Sequence, residues 1–178
     1  MVQTELFESP QSIQKVDWQA DRQSGLNRLN AFLPNAGRAY ASTRNFDFGP
    51  DNRNNISALS PWIRHRLICE NEVLDATLNR HGFYAAEKFI MEVYWRAYFK
   101  GWLEQHPSVW RHYQSELAQQ TSNLSKDHEL NQNYINAVEG NTGIECFDYW
   151  MKELINSGYL HNHTRMWVAS IWVFTLKL

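Results

Sequence analysis

Glu139-Gly140-Asn141-Thr142-Gly143 and, further on, Leu160-His161-Asn162-His163-Thr164-Arg165-Met166 are the stretches whose reading decides the fold. The first sets two glycines around a threonine, a turn that stops one helix and opens the next. The second puts an amide and cationic side chains at the head of the apolar run Met166 to Leu176, which reads as a helix start. Ile144 to Asn156 lies between them and reads as a helix bounded by Gly143 and Gly158.

Working outward, Phe83 to Gln105 predicts the longest helix, centred near Val93. Phe83, Ala86, Ile90, Val93, Tyr94, Ala97, Tyr98 and Gly101 recur on one broad stripe. Glu70 to Arg80 predicts another helix, and Ser60-Pro61 the start of a short one running to about Ile68, with Ser as N-cap and Pro in the first turn. Pro107 to about Gln120 and Asp127 to Val138 read as helices around a polar loop, Thr121 to Lys126. Ser12 to Phe32 is partly periodic, with Gly25 interrupting it, and Pro34 to Asn55 is a long turn-rich loop. No stretch alternates with period two, so the fold class expected is all-α.

A chain of 178 residues suits one domain with a full core. Its 43% hydrophobic and 20% charged content is that of a globular protein. The net charge of −2 gives no overall pull toward nucleic acid or membrane, but five arginines lie between Ala36 and Arg66: Arg38, Arg44, Arg53, Arg64 and Arg66. They make either a local basic surface or a solvated loop face. Cys69 and Cys146 lack paired spacing and read as thiols of a reduced, cytoplasmic protein. Met1 to Pro10 carries Glu5 and Glu8 without an apolar core, so no secretory signal is expected. The run from Met166 to Leu176 is too short to span a bilayer, and no membrane partner is expected. Eight tryptophans are many for this length, and such rings wall flat ligands or stack on bases.

Three groups of residues carry possible chemistry. Asn55 to Pro61 places Ser57 and Ser60 just before a helix, which serves either as simple capping or as an anion site for a pyrophosphate. Glu92 and Arg96 are four apart and can pair on one helix face, with Trp95 beside them as a stacking wall. His161, Asn162, His163 and Arg165 form the third group. His-x-His can suggest a metal, but no Cys, Asp or Glu lies at ligand spacing, so no metal is expected. Glycine-rich dinucleotide loops, phosphate loops and nucleophile elbows are absent.

Taken in order, these blocks resemble the FAD-binding domain of the DNA photolyase and cryptochrome family. The matching blocks are Tyr40 with Arg44-Asn45, Ser57-Ala58-Leu59-Ser60, Glu92 with Trp95-Arg96 up to Pro107, Glu139 to Gly143, and His161-Asn162 with Arg165-Met166. The resemblance runs from about Phe32 to Leu178. It implies residues 1–34 as a helical lead-in and residues 35–178 as a helical domain folded around FAD. It implies that Tyr40 contacts the FAD phosphates and that Ile56, Ser57, Ala58, Leu59 and Ser60 cradle the pyrophosphate. Phe89 stands at a flavin-pocket position. Glu92 is implied as the carboxylate that hydrogen-bonds a damaged pyrimidine, and Trp95 as the ring that stacks on the flipped-out dimer. Asn162 is implied to face the flavin and Arg165 to reach a flavin-stabilising carboxylate. Arg44, Arg96 and His161 are implied at DNA phosphates, with Arg96 also serving FAD.

The implied activity is light-driven electron transfer from reduced FAD to pyrimidine photoproducts in DNA. The alternatives are a flavin-binding photosensor or interaction module without repair, and a scaffold that holds no flavin. The family's antenna domain would precede its first block, and its flavin-edge residues would follow Leu178. Ala137 stands where the family has one of its electron-hopping tryptophans. An incomplete pocket and weak FAD binding are therefore expected. The apolar face of the last helix, with Trp167, Ile171 and Phe174, is expected to support self-association.

Overall fold

The structure, a computed structural model, describes residues 18–178. Every regular element among the described residues is helical. In order they are α1 (Arg22–Phe32), a 3-10 turn (Leu33–Asn35), α2 (Arg38–Thr43), α3 (Ser60–Arg64), α4 (Glu70–Gln105), α5 (Pro107–Leu124), α6 (His128–Glu139), α7 (Glu145–Ser157), α8 (Asn162–Ser170) and a π-helical turn (Ile171–Leu176). No helix among them is long and apolar enough to cross a membrane. They fall into two compact units, residues 18–128 and residues 129–178.

In the first unit α1 begins at Arg22, not at Ser12. Asp21 has extended backbone and its carboxylate accepts from the Ser24 N–H at 2.8 Å, so the cap sets the start and leaves residues 18–20 outside the helix. Ser12 to Asp17 of the expected helix lies outside the described residues. Leu29 and Phe32 then pack with Tyr40, Leu59, Trp62, Ile63, Val73, Phe89 and Val93 into one core. Phe32, Tyr40 and Phe89 form a triangle of rings with centroids 5.0–5.9 Å apart.

The long element α4 is two helices. Gly82 has φ +68° and ψ +170°, a conformation that glycine adopts at little cost and that breaks the hydrogen-bond ladder. In a straight helix Glu70 and Arg96 would be about 39 Å apart. Here their side chains come within 3.6 Å, so the chain turns back at Gly82 into a helical hairpin. The expected helices, Glu70 to Arg80 and Phe83 to Gln105, are its two arms.

Other expectations shift. The region Pro34 to Asn55 is not one open loop, because the 3-10 turn and α2 occupy its first half. The polar loop expected at Thr121 to Lys126 is mostly helix, since α5 continues to Leu124 and the Thr121 hydroxyl donates to the Leu117 carbonyl at 2.8 Å. Ser60 is not the N-cap of α3. Leu59 holds that position without a side-chain bond, Ser60 is the first helical residue, and the helix ends at Arg64 rather than Ile68.

The second unit is small. Ala137, Phe147 and Met151 are its buried core, with Ile144, Val168, Ile171, Trp172 and Leu176 packed against them. Ile171, Trp172 and Leu176 therefore have partners within the unit, and the apolar face left exposed comprises Met166, Trp167, Val173 and Phe174. The turn between α6 and α7 is tied by Asp148. Its carboxylate accepts from the Thr142 N–H at 2.8 Å, the Thr142 hydroxyl at 2.7 Å and the Gly143 N–H at 2.9 Å. Gly140 has φ +68°, and a Cβ there would lie 2.7 Å from the Asp148 carbonyl oxygen, so the position excludes a side chain twice over.

Candidate functional site

One cavity of about 180 Å³ lies within the first unit, lined by Tyr40, Ser57, Leu59, Ser60, Ile63, Val73, Phe89, Glu92, Val93 and Arg96. The core builds its floor, because Phe89 and Val93 are buried on the second arm of α4 and Tyr40 on α2. The loop before α3 builds one wall and Arg96 another. Residues from four separate sequence blocks thus meet in one place.

The wall formed by residues 56–60 is unusual in its backbone. Ile56, Ala58 and Leu59 are buried, and Ala58 holds φ +49°, the left-handed region that a non-glycine residue seldom enters. Leu59 follows at φ −84° and ψ −7°. A left-handed residue followed by a right-handed one points successive N–H groups to the same side, the arrangement that binds anions. Among the described residues none accepts from the main-chain N–H groups of Ser57, Ala58 or Leu59. Arg96 supplies a cation at the same cavity. Its Nε is buried without a hydrogen-bond partner, 3.6 Å from a Glu70 carboxylate oxygen. Unpaired buried N–H groups beside a guanidinium suit an anionic, multiply accepting group.

The expected Glu92–Arg96 pair does not form. Arg44, which caps the end of α2, bonds the Glu92 carboxylate instead and lies 6.0 Å from the centre of the Tyr40 ring. Arg96 turns to Glu70 because the hairpin at Gly82 brings the start of α4 alongside it. Trp95 is 48% exposed and stacks on Phe99 with ring centroids 5.7 Å apart.

The remaining expected site residues belong to the second unit. Asn162 and Arg165 are exposed in the first turns of α8, where an Arg165 Nη donates to the Asn162 side-chain oxygen at 3.3 Å. His161 is 2% exposed, and its Nδ1 accepts from the His163 N–H at 3.2 Å, so its ring caps α8. Sequence reasoning missed Arg28, whose guanidinium reaches the loop wall, and Asp148. A cation three residues after Gly25 and four before Phe32, both on the buried stripe of α1, was the available signal for Arg28.

A second cleft of about 400 Å³ is lined by Arg66, Cys69, Glu70, Lys100 and Glu104 among others. Its charges already neutralise one another, with Arg66 and Glu70 paired at 3.0 Å, so it offers no net charge to a ligand.

The family described as the FAD binding domain of DNA photolyase matches residues 89–178. The chain belongs to this photolyase FAD-binding family. Three curated relatives are deoxyribodipyrimidine photo-lyases. That of Alkalihalophilus pseudofirmus is 26% identical across 86% of this chain and 31% of its own length. The Escherichia coli protein is 26% identical across 94% of this chain and 35% of its length. The Neurospora crassa protein is 27% identical across 86% and 25%. The chain thus spans between a quarter and about a third of these relatives. No solved structure matches it at the same stringency.

FAD is the cofactor of the photolyase domain. The residues present fit one part of it. The free amides of Ser57 to Leu59 and the Arg96 guanidinium suit a diphosphate, while ligand sites commonly enclose about 300–1,000 Å³. A cavity of about 180 Å³ is smaller than that range and cannot enclose a whole dinucleotide.

Proposed function

We propose that the chain is a photolyase-like flavin-binding protein whose ancestral role is light-driven repair of pyrimidine photoproducts in DNA. When bound and reduced, FAD supplies after excitation the electron that splits the dimer. The chain's own residues bind and orient. The amides of residues 57–59 and the Ser57 and Ser60 hydroxyls take the diphosphate oxygens, with Tyr40 and Arg96 beside them. Phe89 keeps water from the cavity floor. Glu92 hydrogen-bonds the pyrimidine through the carboxylate oxygen that Arg44 does not bond, and Trp95 stacks against it. Arg44 and Arg96 also serve DNA phosphates.

The observation that carries this reading is that Tyr40, Ser57, Ser60, Phe89, Glu92 and Arg96, drawn from separate motifs, line one cavity. Because that cavity is small, FAD binding is weak. The purified protein is expected to be nearly colourless and to take up FAD when it is added in excess. Ser60→Ala with Arg96→Ala should abolish uptake. No uptake by the wild-type chain at any FAD concentration would refute the flavin reading, and stoichiometric flavin as isolated would refute the weak-binding argument. The exposed face with Trp167 and Phe174 mediates self-association, which light scattering across concentration would test by a rise in mass.

A further inference from the structure

We propose that Arg28 is a positioning residue that holds the diphosphate cradle in its binding shape, an inference that rests on the FAD reading above. Arg28 sits on α1 and does not line the cavity. Its Nε donates to the Ser57 carbonyl at 2.8 Å, and one Nη donates to the carbonyls of Arg53 at 2.8 Å and Ile56 at 2.9 Å. One guanidinium therefore gathers three main-chain carbonyls of the loop onto one side.

The consequence follows from peptide geometry. A trans peptide unit is planar, so a carbonyl and the next residue's N–H point in opposite directions. Fixing the Ile56 and Ser57 carbonyls on Arg28 turns the N–H groups of Ser57 and Ala58 away from α1. These are two of the three amides that no group among the described residues accepts from. Ala58 and Leu59 are 3% and 2% exposed, so water is largely kept from them, and buried amides are rarely left without an acceptor. Ser57, Leu59, Ser60 and Arg96 line the cavity beside them. The left-handed backbone of Ala58 is of the kind that persists only when its surroundings over-determine it, and Arg28 supplies that constraint. A planar fork of donors does this. A lysine, with the same charge at a single point, cannot hold several carbonyls in the same directions.

The test compares wild-type, Arg28→Lys and Arg28→Lys with Ala58→Gly, using FAD and inorganic pyrophosphate as probes. Wild-type should take up FAD, and pyrophosphate should compete and raise the melting temperature. Arg28→Lys should bind both at least tenfold more weakly and lose the pyrophosphate-induced rise. A merely structural residue would lower the melting temperature with and without pyrophosphate and leave the rise intact. Ala58→Gly should restore much of the affinity, because glycine adopts the left-handed conformation without being held there. Wild-type affinity in Arg28→Lys, or an unchanged rise, would overturn the role of Arg28 alone. An Arg28→Lys chain that does not fold, and that Ala58→Gly does not restore, would make Arg28 purely structural and also overturn it. Failure of the wild-type chain to bind either probe would instead overturn the FAD reading, and the role of Arg28 with it.

Discussion

Replacing Asp148 by alanine should unfasten the turn that joins α6 to α7. The carboxylate accepts three hydrogen bonds, from the Thr142 N–H, the Thr142 hydroxyl and the Gly143 N–H, at 2.7–2.9 Å. A hydrogen bond to a charged group contributes about 1.5–3 kcal/mol when its loss leaves the partner unsatisfied. Thr142 is only half-buried and Gly143 is exposed, so water replaces part of what is lost. The three bonds also share one side chain and do not add. The expected cost of Asp148→Ala is therefore about 2–4 kcal/mol, near one full charged bond rather than three. Asp148→Asn keeps an oxygen for Thr142 but loses the charge and sets an amide against the Gly143 N–H, so about 1–2 kcal/mol is expected. Urea titration followed by far-ultraviolet circular dichroism measures both. Amide exchange in residues 139–145 localises the effect, and Gly143 should exchange faster in both variants. A midpoint and exchange pattern for Asp148→Ala equal to wild type would show that the turn is held by its glycines alone.

Glu72 carries a pH-dependent contribution. The Arg22 guanidinium, then the Cys69 N–H, hold its carboxyl well below the usual value of 4.5, at about 2. A carboxyl depressed in the folded state stabilises fully above its unfolded value, and that contribution fades as pH falls toward about 2. Urea midpoints should therefore drop between pH 4.5 and pH 2.5, and Glu72→Gln should flatten that part of the profile. Gly25→Ala should destabilise the first unit by about 1–3 kcal/mol through overpacking, because the new Cβ would lie 2.9 Å from the Trp62 ring; an unchanged melting curve would contradict the packing of α1 on Trp62. Gly82→Ala should cost about 1–3 kcal/mol from backbone strain alone, since φ +68° with ψ +170° is a conformation nearly confined to glycine while a Cβ there meets nothing within 4 Å. A cost well above that would point to a contact at the hairpin tip.

Much of the fold was legible because helices announce themselves locally. The break at Gly82, the stop at Gly140 and the left-handed Gly158 all follow from residues that tolerate positive φ. The α6, α7 and α8 starts fall within a residue of where turn residues set them. α1 starts later than its weak apolar period indicates because the Asp21 cap sets the boundary. α5 runs past its polar composition because Thr121 can satisfy its hydroxyl inside a helix.

The sequence by itself determined which residue types could serve a flavin and a DNA base, since chemical identity and motif order are properties of the chain. Only the tertiary structure decided which of them meet. Glu92 and Arg96 are ideal partners at helical spacing, yet each faces an opposite charge distant in sequence, because α2 delivers Arg44 and the turn at Gly82 delivers Glu70. His161 is buried, and its ring caps α8, a role that spacing alone does not give. Arg28 looked like an ordinary helical cation and gathers three carbonyls of a loop some 25 or more residues away. Spacing along a helix fixes only the neighbours that the helix itself supplies, whereas an ion pair or a carbonyl clamp goes to whichever partner packing brings within reach.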